Sequence, residues 1–315
     1  MSHCFAQISD PHLSTLDGVS ARDLLNKRAL GYLSWRHKRR YEHRGEVLDA
    51  LQRDLAAEEF EQLLVTGDLT HIGLPDEFRQ ARDWLRQLGP ASRVAVIPGN
   101  HDACVASDWQ QTFALWQDYM ASDSPADGRP GPATLFPSLR IRGDIAFIGL
   151  STACPTPPLM ASGSLGREQL ENLEGVLEST ARQDLFRVVY LHHCPLPGLE
   201  KWRKRLTDAA DLKALLEQYG AELILHGHGH RAHHHELETR RGPVPVIAIA
   251  SASALGLHGA DVAGYNRYRV ERSPQGWNLD IEERRYQVDR GSFVAAGQRR
   301  IALRRPYRQP SPGSL

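Results

Sequence analysis

Apolar runs of three to five residues recur along the chain, and the early ones break abruptly into polar turns. Residues 5–9, 63–66, 94–97, 188–191 and 223–225 have the length and apolar continuity of buried strands. Between them, apolar positions three and four apart predict helices over residues 45–58, 75–88, 107–120, 166–181 and 208–219. Pro75 suits a first helical turn, where its missing N–H costs nothing, and Asp208 is a natural N-cap. From residue 232 onward the pattern is strands alone, over 233–238, 244–250, 265–271 and 277–285. Alternation followed by strands predicts an α/β sandwich in which a second sheet packs on the first. Residues 122–137, rich in Pro, Gly, Ser and Asp, read as a surface loop, and 306–315 as a disordered tail. That leaves one domain over residues 1–305.

The turns after these strands carry the chemistry. The runs end in Asp10-Pro11-His12, Gly67-Asp68, Gly99-Asn100-His101-Asp102, His192-His193 and Gly227-His228-Gly229-His230. Polar groups at the carboxyl ends of several strands converge on one crevice. Asp10 and His12, two apart in extended backbone, point the same way, and Pro11 stiffens the pair. Asp10, His12, Asp68, Asn100, His192, His228 and His230 are more ligands than one ion takes. Two ions sharing a carboxylate bridge, about 3.5–4 Å apart, accommodate them. Imidazole, carboxylate and amide oxygen without thiolate favour Mn, Fe or Zn. Two divalent ions and two aspartates leave about +2 of charge, which attracts an anion such as a phosphate ester.

Composition narrows the setting. The 315 residues are 41% apolar and 24% charged, with a formal net charge of zero, so no global field recruits nucleic acid. Four scattered cysteines, without a Cys-x-x-Cys pair, argue against a zinc ribbon or a disulfide framework. No run approaches the roughly 20 apolar residues of a membrane span. With a strand beginning within a few residues of Met1, the expectation is a cytoplasmic protein without a secretory leader.

The order Asp-x-His, Gly-Asp, Gly-Asn-His-Asp, His, Gly-His-x-His resembles the calcineurin-like metallophosphoesterases over about residues 3 to 250. The resemblance implies a four-layer α/β/β/α sandwich with two mixed sheets. It implies that Asp10, His12, Asp68 and His230 hold one metal, and that Asp68, Asn100, His192 and His228 hold the other. His192 is preferred to His193 because it matches the first histidine of the family's His-His-Pro-Pro form, which leaves His193 behind it. By the same resemblance a metal-bound hydroxide attacks phosphorus, while Asn100 and His101 face the reacting group. The family often orients this histidine with an aspartate three residues beyond the bridging one, where this chain has His71. A backbone carbonyl, Asp102 or His71 itself is then left to orient His101.

Residues 22–44 depart from a minimal core. Eight Lys and Arg, from Arg22 to Arg44, face only Asp23 and Glu42, with leucines, Tyr32 and Trp35 interleaved. One reading is an amphipathic helix docked on the core with a solvated cationic face. The other is a site for an anionic lipid, a nucleotide or an anionic membrane surface. A second basic group, with Arg299, Arg300, Arg304, Arg305 and Arg308, reads as solvated tail. The expected activity is hydrolysis of a phosphodiester or pyrophosphate. The ISDPHL, GNHD and HGHGH runs resemble bacterial cyclic-nucleotide phosphodiesterases, and hydrolases of UDP-diacylglucosamine are a second candidate. A nuclease is disfavoured by the balanced charge, and no stable nucleic-acid partner is expected. A non-catalytic scaffold of the same fold is disfavoured because every expected ligand is present.

Overall fold

The computed structural model describes residues 2–123 and 135–304. Twelve strands form two mixed sheets among these residues. In the first sheet, β1 (Ser2–Ile8), β2 (Gln62–Val65) and β3 (Val94–Val96) run parallel. In the second, β4 (Ser138–Arg142) lies antiparallel to β5 (Ile145–Gly149), which leads a parallel set. That set continues with β6 (Phe186–Tyr190) and β7 (Leu223–His226). After β8 (His233–Leu237) the chain returns as β9 (Val244–Ala248), parallel to β7. β10 (Gly264–Ser273), β11 (Gly276–Gln287) and β12 (Ser292–Arg304) are antiparallel and extend the first sheet beyond β1.

Side-chain alternation along β1 shows why the sheets stack. Phe5 faces the second sheet, with its ring 5.1 Å from that of Phe147, while Ala6 and Ile8 face helices. Helices Gly45–Ala56 and Pro75–Leu88 cover that outer face through Val47, Leu51, Phe78 and Leu85. Helices Arg167–Arg182 and Ala209–Tyr219 cover the far face of the second sheet through Leu173, Leu177, Leu212 and Leu216. The result is the expected four-layer sandwich. Between the sheets, Gln7 donates to the His226 carbonyl at 3.1 Å and accepts from the Tyr268 hydroxyl at 2.8 Å. One buried amide thus ties the ends of β1 and β7 together.

Three expectations need correction, and one hairpin has no counterpart in the sequence pattern. Residues 107–120 are not one helix but turns, a 3-10 turn at Phe113–Trp116 and a short helix at Gln117–Met120. Asp108 accepts from the Gln111 N–H, and Thr112 donates to the Asp108 carbonyl, side-chain bonds that compete with a continuous helix. The hairpin β4–β5 is absent from the sequence pattern because its central Arg140 reads as surface. That side chain is buried instead, donating to the carbonyls of Val94, Tyr119 and Ala121. Asp208 precedes its helix without capping it, and its carboxylate accepts from the N–H groups of Leu165 and Gly166. Finally, Arg299, Arg300 and Arg304 lie on β12 rather than in a tail, and Arg300 pairs with Asp280. The expected tail at 306–315 and most of the loop at 122–137 lie outside the described residues.

Candidate metal centre

The loops after β1 and β2 run side by side. Asp10 N–H donates to the Gly67 carbonyl at 3.0 Å, His12 to Asp68 at 3.1 Å and Leu13 to Leu69 at 2.9 Å. Asp102 fastens the loop after β3 to this pair by accepting from the N–H groups of Asp68, Thr70 and Gly99. In the second sheet Gly227 N–H donates to the His192 carbonyl, and His228 N–H reaches across to Asp10 Oδ2, both at 3.1 Å. Five turns remote in sequence thereby become one buried cluster.

Within it, Asp10, His12, Asp68 and His230 present ligand atoms within 4.8 Å of one another, as do Asp68, His192 and His228. Asp68 belongs to both groups. Asn100 Oδ1 lies 3.2 Å from His192 Nε2, which puts the amide beside the second group. His12 Nε2 and His230 Nε2 face each other at 3.4 Å, two ring nitrogens that need a proton or a cation between them. His228 Nε2 is buried without a hydrogen-bond partner, and Asp10 Oδ1 meets only His230 Nε2, at 3.2 Å, an arrangement costly unless a ligand takes up those lone pairs. The donor set therefore fits two divalent cations.

Electrostatics keep most of the cluster in its ligating forms, with His192 the exception. Burial, reinforced by His43, His71 and His101, holds His12 well below the usual histidine range, so its imidazole is neutral. Burial acts likewise on His228. Burial opposes ionisation of Asp10 and Asp68, yet the facing His230 and His192 hold both carboxyls below their ordinary range. At His192 burial works against charge, but Asp68 prevails and lifts it to about 9, so a cation and a proton compete for the same nitrogen. Each ring is aimed from behind. His12 Nδ1 bonds the Thr70 carbonyl at 2.9 Å and His192 Nδ1 the Thr66 carbonyl at 2.7 Å, leaving Nε2 toward the cluster.

The backbone is strained at the same places. Asp10, His12, Asp68, His228 and His230 all have φ between 43° and 68°, a left-handed conformation at a typical cost of about 1–3 kcal/mol each. At Gly99 a Cβ would run into Asp68 Oδ1 and lie 2.5 Å from the Asp68 nitrogen, so only glycine admits this approach.

The calcineurin-like phosphoesterase family model matches residues 5–232. The chain belongs to the calcineurin-like phosphoesterase family. No match was found among curated proteins. A solved dimetal phosphatase from Danio rerio is similar, with 13% identity and a TM-score of 0.50 over 93% of this chain and 98% of that one. A double mutant of Vps29 from Entamoeba histolytica aligns at 12% identity and a TM-score of 0.42, covering 95% of this chain and 99% of that one. These likenesses are of fold.

In this calcineurin-like phosphoesterase, what orients His101 is a backbone carbonyl. His101 Nδ1 lies 2.6 Å from the His71 oxygen, which can only accept, so the hydrogen is on Nδ1 and the lone pair on Nε2. Asp102 is spent on backbone donors, and burial followed by the Asp68 charge raises its carboxyl to about 7. The His71 ring stacks on His12 at 5.0 Å and does not bond His101. Glu77 holds the carbonyl in place by accepting from the N–H groups of His71, Ile72 and Leu74. Glu77→Ala strands these donors, at about 1–3 kcal/mol each where water cannot reach. The expected outcome is a lower melting temperature and turnover reduced about tenfold, with metal content unchanged. Unchanged turnover in the folded variant would detach Glu77 from His101.

Two residues escape a reading of the sequence. Arg39 reads there only as one member of a cationic segment, yet its Nη1 stands 2.9 Å from His101 Nδ1, whose hydrogen goes to the His71 carbonyl, so Arg39 brings its charge beside the ring and does not hydrogen-bond it. Burial lowers its pKa against the opposing pull of Asp68 and Asp10, and no ion pair among the described residues includes it. Arg39 is the last residue of a π-helical stretch, Trp35–Arg39. His43 forms a third ligand group with His12 and His230, and its Nδ1 lies 2.8 Å from the Ser253 hydroxyl. No spacing rule announces it, because it arrives 31 residues after His12.

Other candidates lie outside the cluster. Both ring nitrogens of His193 are engaged, with the Thr152 hydroxyl at 2.7 Å and the Ala161 carbonyl at 3.2 Å. His234 on β8 bonds Glu283, and none of His233, His234 and His235 joins a ligand group. The four cysteines are free, and burial pushes the Cys194 thiol up to about 11.

Proposed function

We propose that this chain is a dinuclear metal-dependent phosphoesterase that cleaves a phosphodiester or pyrophosphate bond by direct attack of water, without a phosphoenzyme. The observation that carries this reading is the sharing of Asp68 between two ligand groups. Asp10, His12, Asp68 and His230 would hold one cation. Asp68, Asn100, His192 and His228 would hold the other. Mn, Fe and Zn suit these nitrogen and oxygen donors. When bound, the pair supplies a water activated at neutral pH and positive charge for the phosphate.

The remaining work falls to the protein. His101 Nε2 carries the lone pair that faces the reacting group, takes up a proton as the anionic substrate enters and passes it to the leaving oxygen. The Asn100 amide, whose Oδ1 lies beside His192, can hold a phosphoryl oxygen in line through its N–H. Arg39, without an ion pair among the described residues and turned inward, supplies a planar cation for the same phosphate. Arg39→Ala is expected to raise KM and lower kcat, together costing at least about tenfold in kcat/KM. Metal content should not change, and an unaltered kcat/KM would remove Arg39 from the phosphate.

Among substrates we favour a cyclic nucleotide or a nucleotide-linked lipid. A cytoplasmic setting is part of the proposal, supported by the four unpaired cysteines. No helix among the described residues is long and apolar enough to cross a membrane. The test is turnover by manganese-loaded protein on a chromogenic diester, cyclic nucleotides, a UDP-linked lipid, monoesters and single-stranded DNA. Hydrolysis confined to monoesters or DNA would overturn the substrate class.

A further inference from the structure

The parallel strands of both sheets end on one edge, the edge that carries the ligand groups. The segments leaving that edge after β1, β5, β6 and β9 share a second property. Of the ten large apolar side chains exposed in the described residues, eight lie in these four segments. Leu25 is 82% exposed, Leu159 76% and Trp202 69%, and Leu33 and Leu257 are half open. Elsewhere among the described residues only Ile141 and Val288 are exposed.

The four segments form one continuous rim. Lys27 Nζ donates to the Met160 carbonyl at 2.9 Å and joins the first to the second. Ala161 N–H donates to the Arg203 carbonyl at 2.9 Å and joins the second to the third. Leu257 N–H donates to the Glu42 carboxylate at 3.0 Å and joins the fourth back to the first.

Charge marks the same rim. Arg22, Arg36, Lys38, Arg40, Lys201 and Arg203 are exposed, and none has an ion-pair partner among the described residues. Elsewhere some arginines, such as Arg79, Arg142 and Arg300, hold a carboxylate, while others, such as Arg53, Arg240, Arg269 and Arg299, are exposed without an ion-pair partner among the described residues. What sets the rim apart is the combination, six exposed unpaired cations beside most of the exposed leucines in a chain of zero net charge.

We infer that this rim is a docking surface for an anionic phospholipid bilayer. Cations answer the headgroup phosphates, and leucines with an indole enter the boundary between headgroup and acyl chain. A nucleic acid would meet the cations but gain nothing from exposed leucines, since bases stack on aromatic faces. Resting on the phosphoesterase reading, docking would present phosphate esters of the headgroup layer to the metal centre.

The test needs no turnover. Full-length protein is mixed with phosphatidylcholine vesicles, with and without about one third phosphatidylglycerol, and sedimented at low and high salt. Binding is expected on the anionic vesicles and should weaken with salt. Trp202 is the one exposed tryptophan of the described residues, so binding should blue-shift the emission, and Trp202→Phe should remove that shift. Arg36→Glu with Lys201→Glu and Arg203→Glu, or Leu25→Ser with Trp202→Ser, should each cut binding by at least about fivefold. All should still hydrolyse a small soluble diester like the wild type, which separates a failed surface from a failed site. No binding to anionic vesicles, equal binding by wild type and variants, or retention of an oligonucleotide in place of vesicles would overturn the inference.

Discussion

Asp68→Ala is expected to lose both metal ions together and to lower turnover on a small diester by at least about a thousandfold. The size comes from its place. Asp68 is the one carboxylate shared by the two groups and the only one in the second, and its Oδ2 lies 3.3 Å from His192 Nε2. Removing it leaves the second group with imidazoles and an amide, which neutralise none of a cation's charge. It also strands His101 N–H, which donates to Asp68 Oδ1 at 2.7 Å. Asn100→Ala touches one group only and should lower occupancy there while sparing the other. Metal analysis of the two purified variants separates the cases. A full pair of ions retained by Asp68→Ala would remove the shared carboxylate from the account.

His101→Ala should behave in the opposite way, keeping both ions and lowering kcat by about 10²–10³-fold. No ligand group contains His101, and its ring stands edge-on to His12 at 5.1 Å. Its contribution is a proton for the leaving oxygen, so the loss should depend on what leaves. A nitrophenolate departs without a proton and should be little affected, whereas an alkoxide or a nucleoside hydroxyl should be affected strongly. Burial, followed by the Arg39 charge, holds this histidine down to about 3, so it is neutral in the free protein at physiological pH. Its proton must therefore come with an anion that offsets the arginine. Equal losses for good and poor leaving groups would assign His101 to binding alone.

The fold and the metal cluster are legible in the sequence because both rest on short-range rules. Apolar runs at Phe5, Leu63 and Val188 demand burial on both faces, and polar residues at their carboxyl ends have one crevice to enter. Features hidden from the sequence depend on long-range partners. Arg140 is buried because five residues of backbone from other elements present carbonyls to it, and nothing local says so. β12 has few buried side chains, so its pattern reads as solvent-exposed, and β11 alone keeps it extended. The segment 22–44 divides in a way composition could not foresee. Trp35 packs with Leu16, Ile72 and Leu74, and Arg39 turns to His101, while Arg36 and Arg40 stay outside. The choice among three supports for His101 is likewise undecidable from sequence, because carbonyl directions are set by tertiary hydrogen bonds such as those of Glu77.

Anomalous diffraction from crystals of manganese-loaded protein tests the shared-carboxylate centre most directly. Two peaks about 3.5–4 Å apart are predicted, one beside His12 and His230, the other beside His192 and His228, with Asp68 touching both. A single peak, or none at full metal supplementation, would contradict it.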